Sequence, residues 1–382
     1  MRLDQLLERT REVTREVIGP NSPRTDEGHW PEEGIRALQK ADLGGLVVPL
    51  EYGGAGQSLL GLAQVCEAIG FECASTSLCF GMHCVGTAVI AAKAGEHQQT
   101  LLEAIARGEH LTTLALSEPG TGSHFYFPET RLSALSNGKL KIEGTKSFVT
   151  NGGHADSYVV STVAADPEAP PNLFSCVVMP GDADGIVWGP PWEGLGMRGN
   201  SSRSVELKGV LIPEYELLGQ AGDQIWYVFN VIAPYFLMAM SGTYLGLASR
   251  ALHMAKDHLC KRKYAHSGST LSQVSVLQHR LGSIWGEVER TRQMVYFAAE
   301  EADRGGPNAL PAICYAKANV ADNVVKTVDE AMALCGGIAY RNHSMFDRIL
   351  RDAHAAHIMA PTTDILLTWA GRALLDEPIL GD

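Results

Sequence analysis

The sequence has no Cys-x-x-Cys pair, although it carries eight cysteines: Cys66, Cys73, Cys79, Cys84, Cys176, Cys260, Cys314 and Cys335. That absence excludes dithiol redox motifs, and the four cysteines within 66–84 lack the spacing of zinc ligands. Apolar settings such as Leu78-Cys79-Phe80 predict reduced, buried thiols in a cytoplasmic protein. Basic charge is scarce: 31 Lys and Arg stand against 43 Asp and Glu, a net charge of −12. Such a balance argues against a nucleic-acid or anionic-membrane surface. The start of the chain has acidic Asp4 and no apolar stretch, so it does not read as a secretory signal. The longest apolar run, 225–240, is interrupted by Asn230 and Pro234 and is too short to predict a membrane span; it reads as a buried helix or helix pair. Internal repeats, low-complexity tracts and long linkers are also missing.

What is present divides into three parts. The 382 residues, 45% of them hydrophobic, can bury a large core with two or three subdomains around it. Residues 1–110 read as helical. Leu3, Leu6, Leu7, Val13 and Val17 recur at helical spacing, with a break expected at Pro20–Pro23. Further helices are expected after Trp30-Pro31, over 59–71, over 76–94 and over 98–107, the last ended by Gly108. Residues 111–222 read as β. Short apolar runs at 111–116, 131–136, 139–142, 157–163, 172–179, 185–188 and 202–211 alternate with turn residues, and Asn137-Gly138 is a hairpin signal. A small barrel or sandwich is expected there. Residues 223–382 return to helix, over 245–263, 271–304, 310–334, 345–359 and 363–375. Their surplus apolar faces predict a bundle with oligomer contacts.

The Gly-rich bend Ser-Glu-Pro-Gly-Thr-Gly-Ser at 117–123 follows an apolar run. Backbone N–H groups in such a bend, with the Ser117 and Ser123 hydroxyls, offer a cradle for a phosphate or a polar ring. Phe-Val-Thr-Asn-Gly at 148–152 and Leu-Gly-Met-Arg-Gly at 195–199 follow. In order and interval these three motifs resemble the middle motifs of the acyl-CoA dehydrogenase family, and the resemblance runs from about Gly44 to Leu375. It implies an α+β fold: an N-terminal helical domain, a middle β-barrel or sandwich domain, and a C-terminal four-helix-bundle domain. It also implies FAD as cofactor, an acyl-CoA or acyl-carrier-protein substrate, an electron-acceptor flavoprotein or oxygen, and a homo-oligomer.

Residue by residue, the resemblance places Ser117 against the flavin ring, with Leu114 and Leu116 lining it, and Ser123 with Gly122 at the pyrophosphate. Phe148 stands where a Trp is usual, and Thr150 keeps a hydroxyl. Arg262 matches an arginine that reaches the pyrophosphate from a neighbouring subunit, and Gln273 a glutamine further along. Ala265-His266 replaces the usual Phe-Gly after that arginine. Gly336 and Gly337 match a Gly-Gly pair, with Ala333 where a Gln is usual. Thr362 keeps a hydroxyl position, and Asp364 replaces a neutral polar residue.

α,β-Dehydrogenation needs a carboxylate to take the α-proton while a hydride leaves the β-carbon. The family's usual Glu position, after Arg351-Asp352-Ala353, is Ala360, followed by Pro361. The minority position, on an earlier helix, falls at about Phe236, with Leu237 where an arginine usually follows. Neither side chain titrates. His124, Asp364 and Tyr235 are the candidate substitutes, each more often structural than catalytic. His354 and His357 stand three apart on a helix but lack a carboxylate at metal-ligand spacing, so no metal is expected. The reading is flavin-dependent oxidation of an acyl thioester. Oxygenation or oxidative decarboxylation, or a non-catalytic partner subunit of an active relative, are its alternatives.

Overall fold

A computed structural model describes residues 1–380. Six helices come first: α1 (Leu3–Val13), α2 (Gly19–Asp26), α3 (Glu32–Lys40), α4 (Leu59–Glu72), α5 (Ala74–Ala92) and α6 (Glu96–Ala106). The expected break at Pro20–Pro23 does not occur. A π-helical turn, Thr14–Ile18, carries α1 directly into α2, and Pro23 lies inside that helix. A proline removes one N–H and frees the carbonyl four residues back. Here that carbonyl, Gly19 O, is taken by Ser22 Oγ at 2.7 Å, and Asn21 Nδ2 donates to Val17 O at 2.9 Å. Ser22 thus replaces the bond lost at Pro23, and Asn21 adds a side-chain bond across the same junction.

Seven strands follow: β1 (Thr112–Ala115), β2 (Arg131–Ala134), β3 (Lys139–Val149), β4 (Ser157–Ala164), β5 (Phe174–Pro180), β6 (Ile186–Trp188) and β7 (Arg203–Pro213). The expected barrel or sandwich is one hydrogen-bonded sheet branching at β4. β1 and β2 run parallel to β4, one after the other along it, and β5 pairs antiparallel with it. β2 and β3 form the hairpin expected at Asn137-Gly138, closed by Leu135 N–H on Lys139 O at 2.8 Å. Gly138 takes φ +71°, the left-handed region such a turn requires.

Helices then resume as α7 (Gln224–Tyr227), α8 (Ala233–Lys261), α9 (Ser275–Asp303), α10 (Ala309–Cys335), α11 (Met345–Ile358) and α12 (Thr363–Leu374). A second π-turn, Val228–Ile232, joins α7 to α8, so the run at 225–240 belongs to one continuous helix. The helices Ala74–Ala92 and Gln224–Lys261 are long and apolar enough to cross a bilayer, yet lie packed inside the fold. α8 is the central rod, touching α4, α5, α9 and α10, while α11 and α12 lie on α10. Its contact with α4 is at backbone distance: a Cβ on Gly242 would sit 2.1 Å from Ala63 O. Of the eight cysteines, all free, only Cys260 is exposed.

Candidate functional site at the Ser117–Ser123 loop

β1 buries Leu114, and the chain leaves the sheet at the half-buried Leu116 and Ser117. What fixes the loop is a charge. Glu118 and Lys146 are buried together, Nζ to Oε1 2.5 Å, with side chains 1% and 0% exposed. Lys146, on β3, also donates to Ser161 O at 2.6 Å, to Ser161 Oγ at 2.9 Å and to Leu116 O at 3.3 Å. Glu118 also accepts the N–H groups of Glu129 (2.6 Å) and Thr130 (3.1 Å). Every lone pair and proton that matters has a partner, the condition under which a buried pair is tolerable. Burial pulls the Lys146 ammonium down to about 8, and Glu118 opposes that pull. Glu118 lies within the first motif and Lys146 two residues before the second, but the motif pattern gives neither a role.

The far side of the loop is open. Among the described residues, the N–H groups of Gly120, Gly122 and Ser123 and the hydroxyls of Ser117 and Ser123 make no hydrogen bond within the chain. Gly122 sits at φ +52° with nothing within 4 Å of where a Cβ would be. Phe148 also takes a positive φ, +54°, which turns its ring outward to 66% exposure, edge-on to Trp192. Leu195 is 69% exposed. Free donors on one loop and uncovered apolar faces on the same β layer are the donor set that a flavin with its pyrophosphate uses. The residues present fit FAD. Thr150 Oγ1 lies 3.1 Å from Ser202 Oγ.

The three motifs are tied to the helices around them. Asn151 receives Trp30 Nε1–H at 2.9 Å, donates Nδ2–H to Cys79 O at 3.0 Å, and gives its own N–H to Asn200 O at 3.1 Å. Arg351 grips both oxygens of Asp26 (2.9 and 2.6 Å) and also donates to Leu195 O. Asp352 accepts Met197 N–H at 2.6 Å, and its burial raises the carboxyl to about 6. A Cβ on Gly196 would lie 2.4 Å from Arg351 O, so the loop rests on the backbone of α11.

The second group of predicted cofactor residues sits elsewhere. Arg262 is exposed at the end of α8, and its carbonyl accepts Leu271 N–H in the turn that carries Gln273. Gln273 Oε1 accepts Thr270 N–H. Gly336 and Gly337 are exposed past the end of α10, with open space at both. Thr362 precedes α12, and Asp364 is exposed in its first turn. Among the described residues no hydrogen bond joins any of them to the Ser117–Ser123 loop.

Where the resemblance expects a base, Ala360 and, on α8, Phe236 are both half-buried. The corner is built around a cation that sequence reasoning missed. Lys317, on α10, is fully buried and donates to Ala356 O (2.7 Å), Met359 O (3.3 Å) and Pro361 O (3.3 Å). Burial lowers its ammonium to about 8. Its only signal in the sequence is a lone Lys inside an apolar helical stretch. The three candidate substitutes are not brought together. His124 Nδ1 is 2.9 Å from Tyr126 OH; Tyr235 is raised by burial, then by Asp303 and Cys84; and Asp364 faces solvent. His354 is exposed, while His357 lies 3.3 Å from Thr363 Oγ1 and 3.8 Å from Asp322.

A sheet domain lies between two helical parts, and its loop of free N–H and hydroxyl donors suits a phosphate-bearing cofactor. Comparison with known proteins makes the assignment specific. Family models for the acyl-CoA dehydrogenase N-terminal, middle and C-terminal domains match residues 2–109, 113–210 and 236–375. The chain is 28% identical over 384 residues to a probable acyl-CoA dehydrogenase, YngJ, of Bacillus subtilis, covering 96% of each. It superposes on butyryl-CoA dehydrogenase from Megasphaera elsdenii with a TM-score of 0.91, at 22% identity and 98% coverage of both chains. It superposes on the prolyl acyl carrier protein oxidase AnaB with a TM-score of 0.85, at 20% identity, covering 97% and 98%. The chain belongs to the acyl-CoA dehydrogenase family, and is an FAD-dependent oxidoreductase of that family.

Proposed function

We propose that the protein oxidises an acyl thioester carried on CoA or on a carrier protein, passing the electrons to a flavoprotein or to oxygen. The observation that carries this is the Ser117–Ser123 loop, with its free N–H groups and hydroxyls held rigid by the Lys146–Glu118 pair. FAD, when bound, supplies the hydride acceptor. The chain's own contribution is to hold the cofactor: Ser117, Gly122 and Ser123 from the loop, Leu114 and Leu116 beneath it, Phe148 and Thr150 beside it. AnaB acts on a carrier-bound prolyl group, and that supports the carrier form of the substrate.

Arg262 would then serve the cofactor of a second copy, with Gln273, Gly336, Gly337, Thr362 and Asp364 as further cofactor contacts. The exposed apolar side chains Val276, Trp285, Ile338, Tyr340, Leu374 and Leu375 support such a homo-oligomer. We place the functional divisions at 1–110, 111–222 and 223–382, and the buried free thiols favour a cytoplasmic setting. The test is the visible spectrum of the purified protein, then anaerobic titration with butyryl-CoA. A yellow protein that bleaches is expected. A colourless protein that refuses added FAD would overturn the proposal.

A further inference from the structure

At the end of the Ser117–Ser123 loop the chain makes a tight turn. His124 N–H donates to Thr121 O at 2.9 Å, with Gly122 and Ser123 as the central pair. Such a turn keeps its ends within about 7 Å of each other. The side chain after Ser123 is therefore a neighbour of the free Gly122 and Ser123 N–H groups. That side chain is an exposed imidazole held at one end only. Its Nδ1 lies 2.9 Å from Tyr126 OH, and among the described residues its Nε2 makes no hydrogen bond.

Tyr126 is the fixed member of the pair, 5% exposed. Phe125, Phe127, Phe229 of the second π-turn and Trp369 of α12 surround its ring, at centroid distances between 4.7 and 6.3 Å. Its carbonyl accepts Gln224 Nε2–H at 3.1 Å. A ring packed from several elements keeps its hydroxyl in one place. An imidazole nitrogen accepts more strongly than a phenol oxygen, so the Tyr126 O–H donates to Nδ1. That bond assigns the tautomer: the ring proton is on Nε2. In this form His124 has no free lone pair with which to take a proton from a substrate. It has one free donor, next to backbone N–H groups that suit an anionic oxygen.

We infer that His124, its tautomer fixed by Tyr126, donates Nε2–H to a phosphate oxygen of the ligand seated on the Ser117–Ser123 loop. This rests on the flavin and thioester reading above. The phosphate is the pyrophosphate of FAD or the phosphate of the thioester's phosphopantetheine arm, and the recognition chemistry is the same for both. His124 touches the ligand, whereas Tyr126 is a positioning residue that acts through it. The test is a double-variant cycle on the full chain with two titrations. Protein stripped of flavin is titrated with FAD, following flavin fluorescence. FAD-loaded protein is titrated anaerobically with butyryl-phosphopantetheine and with butyryl-pantetheine, which lacks the phosphate, following the flavin bands. Loss of one charge-assisted hydrogen bond is expected to weaken the affinity concerned about tenfold or more. If the pyrophosphate is the partner, His124→Ala weakens FAD by that factor and leaves the ratio of the two thioesters unchanged. If the arm is the partner, FAD is held as before and the advantage of phosphopantetheine over pantetheine falls by that factor. His124→Gln, which returns an N–H donor near Nε2, should restore most of the loss. Tyr126→Phe should weaken the same ligand about threefold when His124 is present and have no further effect in the His124→Ala background, where a merely structural role would persist. Equal affinities for native protein and His124→Ala would overturn the inference and leave the flavin and thioester reading intact. A native protein that takes up neither FAD nor thioester would overturn both. If Tyr126→Phe does not fold, the two substitutions at the exposed His124 decide alone.

Discussion

Asp352 sits buried against the backbone of Met197, its carboxyl raised from 3.8 to about 6, chiefly by burial. A carboxyl whose folded value exceeds its unfolded one gives stability that is present below about pH 4 and lost as pH rises through about 6. Asp352→Asn keeps an acceptor for the Met197 N–H and removes the ionisation. The variant should gain stability over the native protein from pH 5 to pH 8, by roughly 1–2 kcal/mol, read from urea unfolding midpoints at the two values. At Ala360 the expected change is in activity. Ala360→Glu should raise butyryl-CoA dehydrogenation at least tenfold if only the proton acceptor is lacking, measured by dye reduction; an FAD-bound variant with no gain would show that the site is built for other chemistry. The sequence offers Ala360 as the expected base position because it follows the Arg351-Asp352-Ala353 stretch, and a position at about Phe236 only by interval. Lys317 was not legible in the sequence. Its partners are three carbonyls contributed by α11 and the turn after it, and a carbonyl acceptor leaves no mark on residue type.

Among the elements, the Ser117–Ser123 loop carries the most consequence. Lys146→Met would leave the Glu118 carboxylate buried with only the N–H groups of Glu129 and Thr130. The loss expected is about 3–5 kcal/mol of stability, together with weaker FAD retention, read from thermal melts and from flavin released on dialysis. The double variant Lys146→Met, Glu118→Leu should recover most of the stability and little of the flavin binding. Strands were readable because apolar runs alternate with Gly, Asn and Pro, and Asn137-Gly138 fixes one turn type. The α1–α2 junction was not: prolines signal a break, whereas Ser22 supplies a replacement bond, and Asn21 a further one, that become visible only once the helix is folded. Whether seven strands make a barrel, a sandwich or one branched sheet depends on β4 accepting three neighbours, which is a matter of pairing rather than of local pattern.

At the scale of the molecule, the exposed apolar side chains of the C-terminal helices set a prediction about assembly. Light scattering of the native protein should show at least a dimer. Trp285→Asp, at a 58% exposed position on α9, should lower the molecular mass without unfolding the chain, as followed by circular dichroism. The order helical, β, helical was legible from periodicity, while the polar bonds that join the parts were not, since their partners are distant in sequence. Asn151 is the plainest of these joints. It reaches Trp30, Cys79 and Asn200 at once, from a position inside a stretch quoted for its resemblance alone. With that side-chain amide bonded to both Trp30 and Cys79, the sheet cannot swing away from the first helices without stranding its donor and its acceptor together. If no hinge motion of the sheet limits turnover, kcat should change little when a viscogen is added.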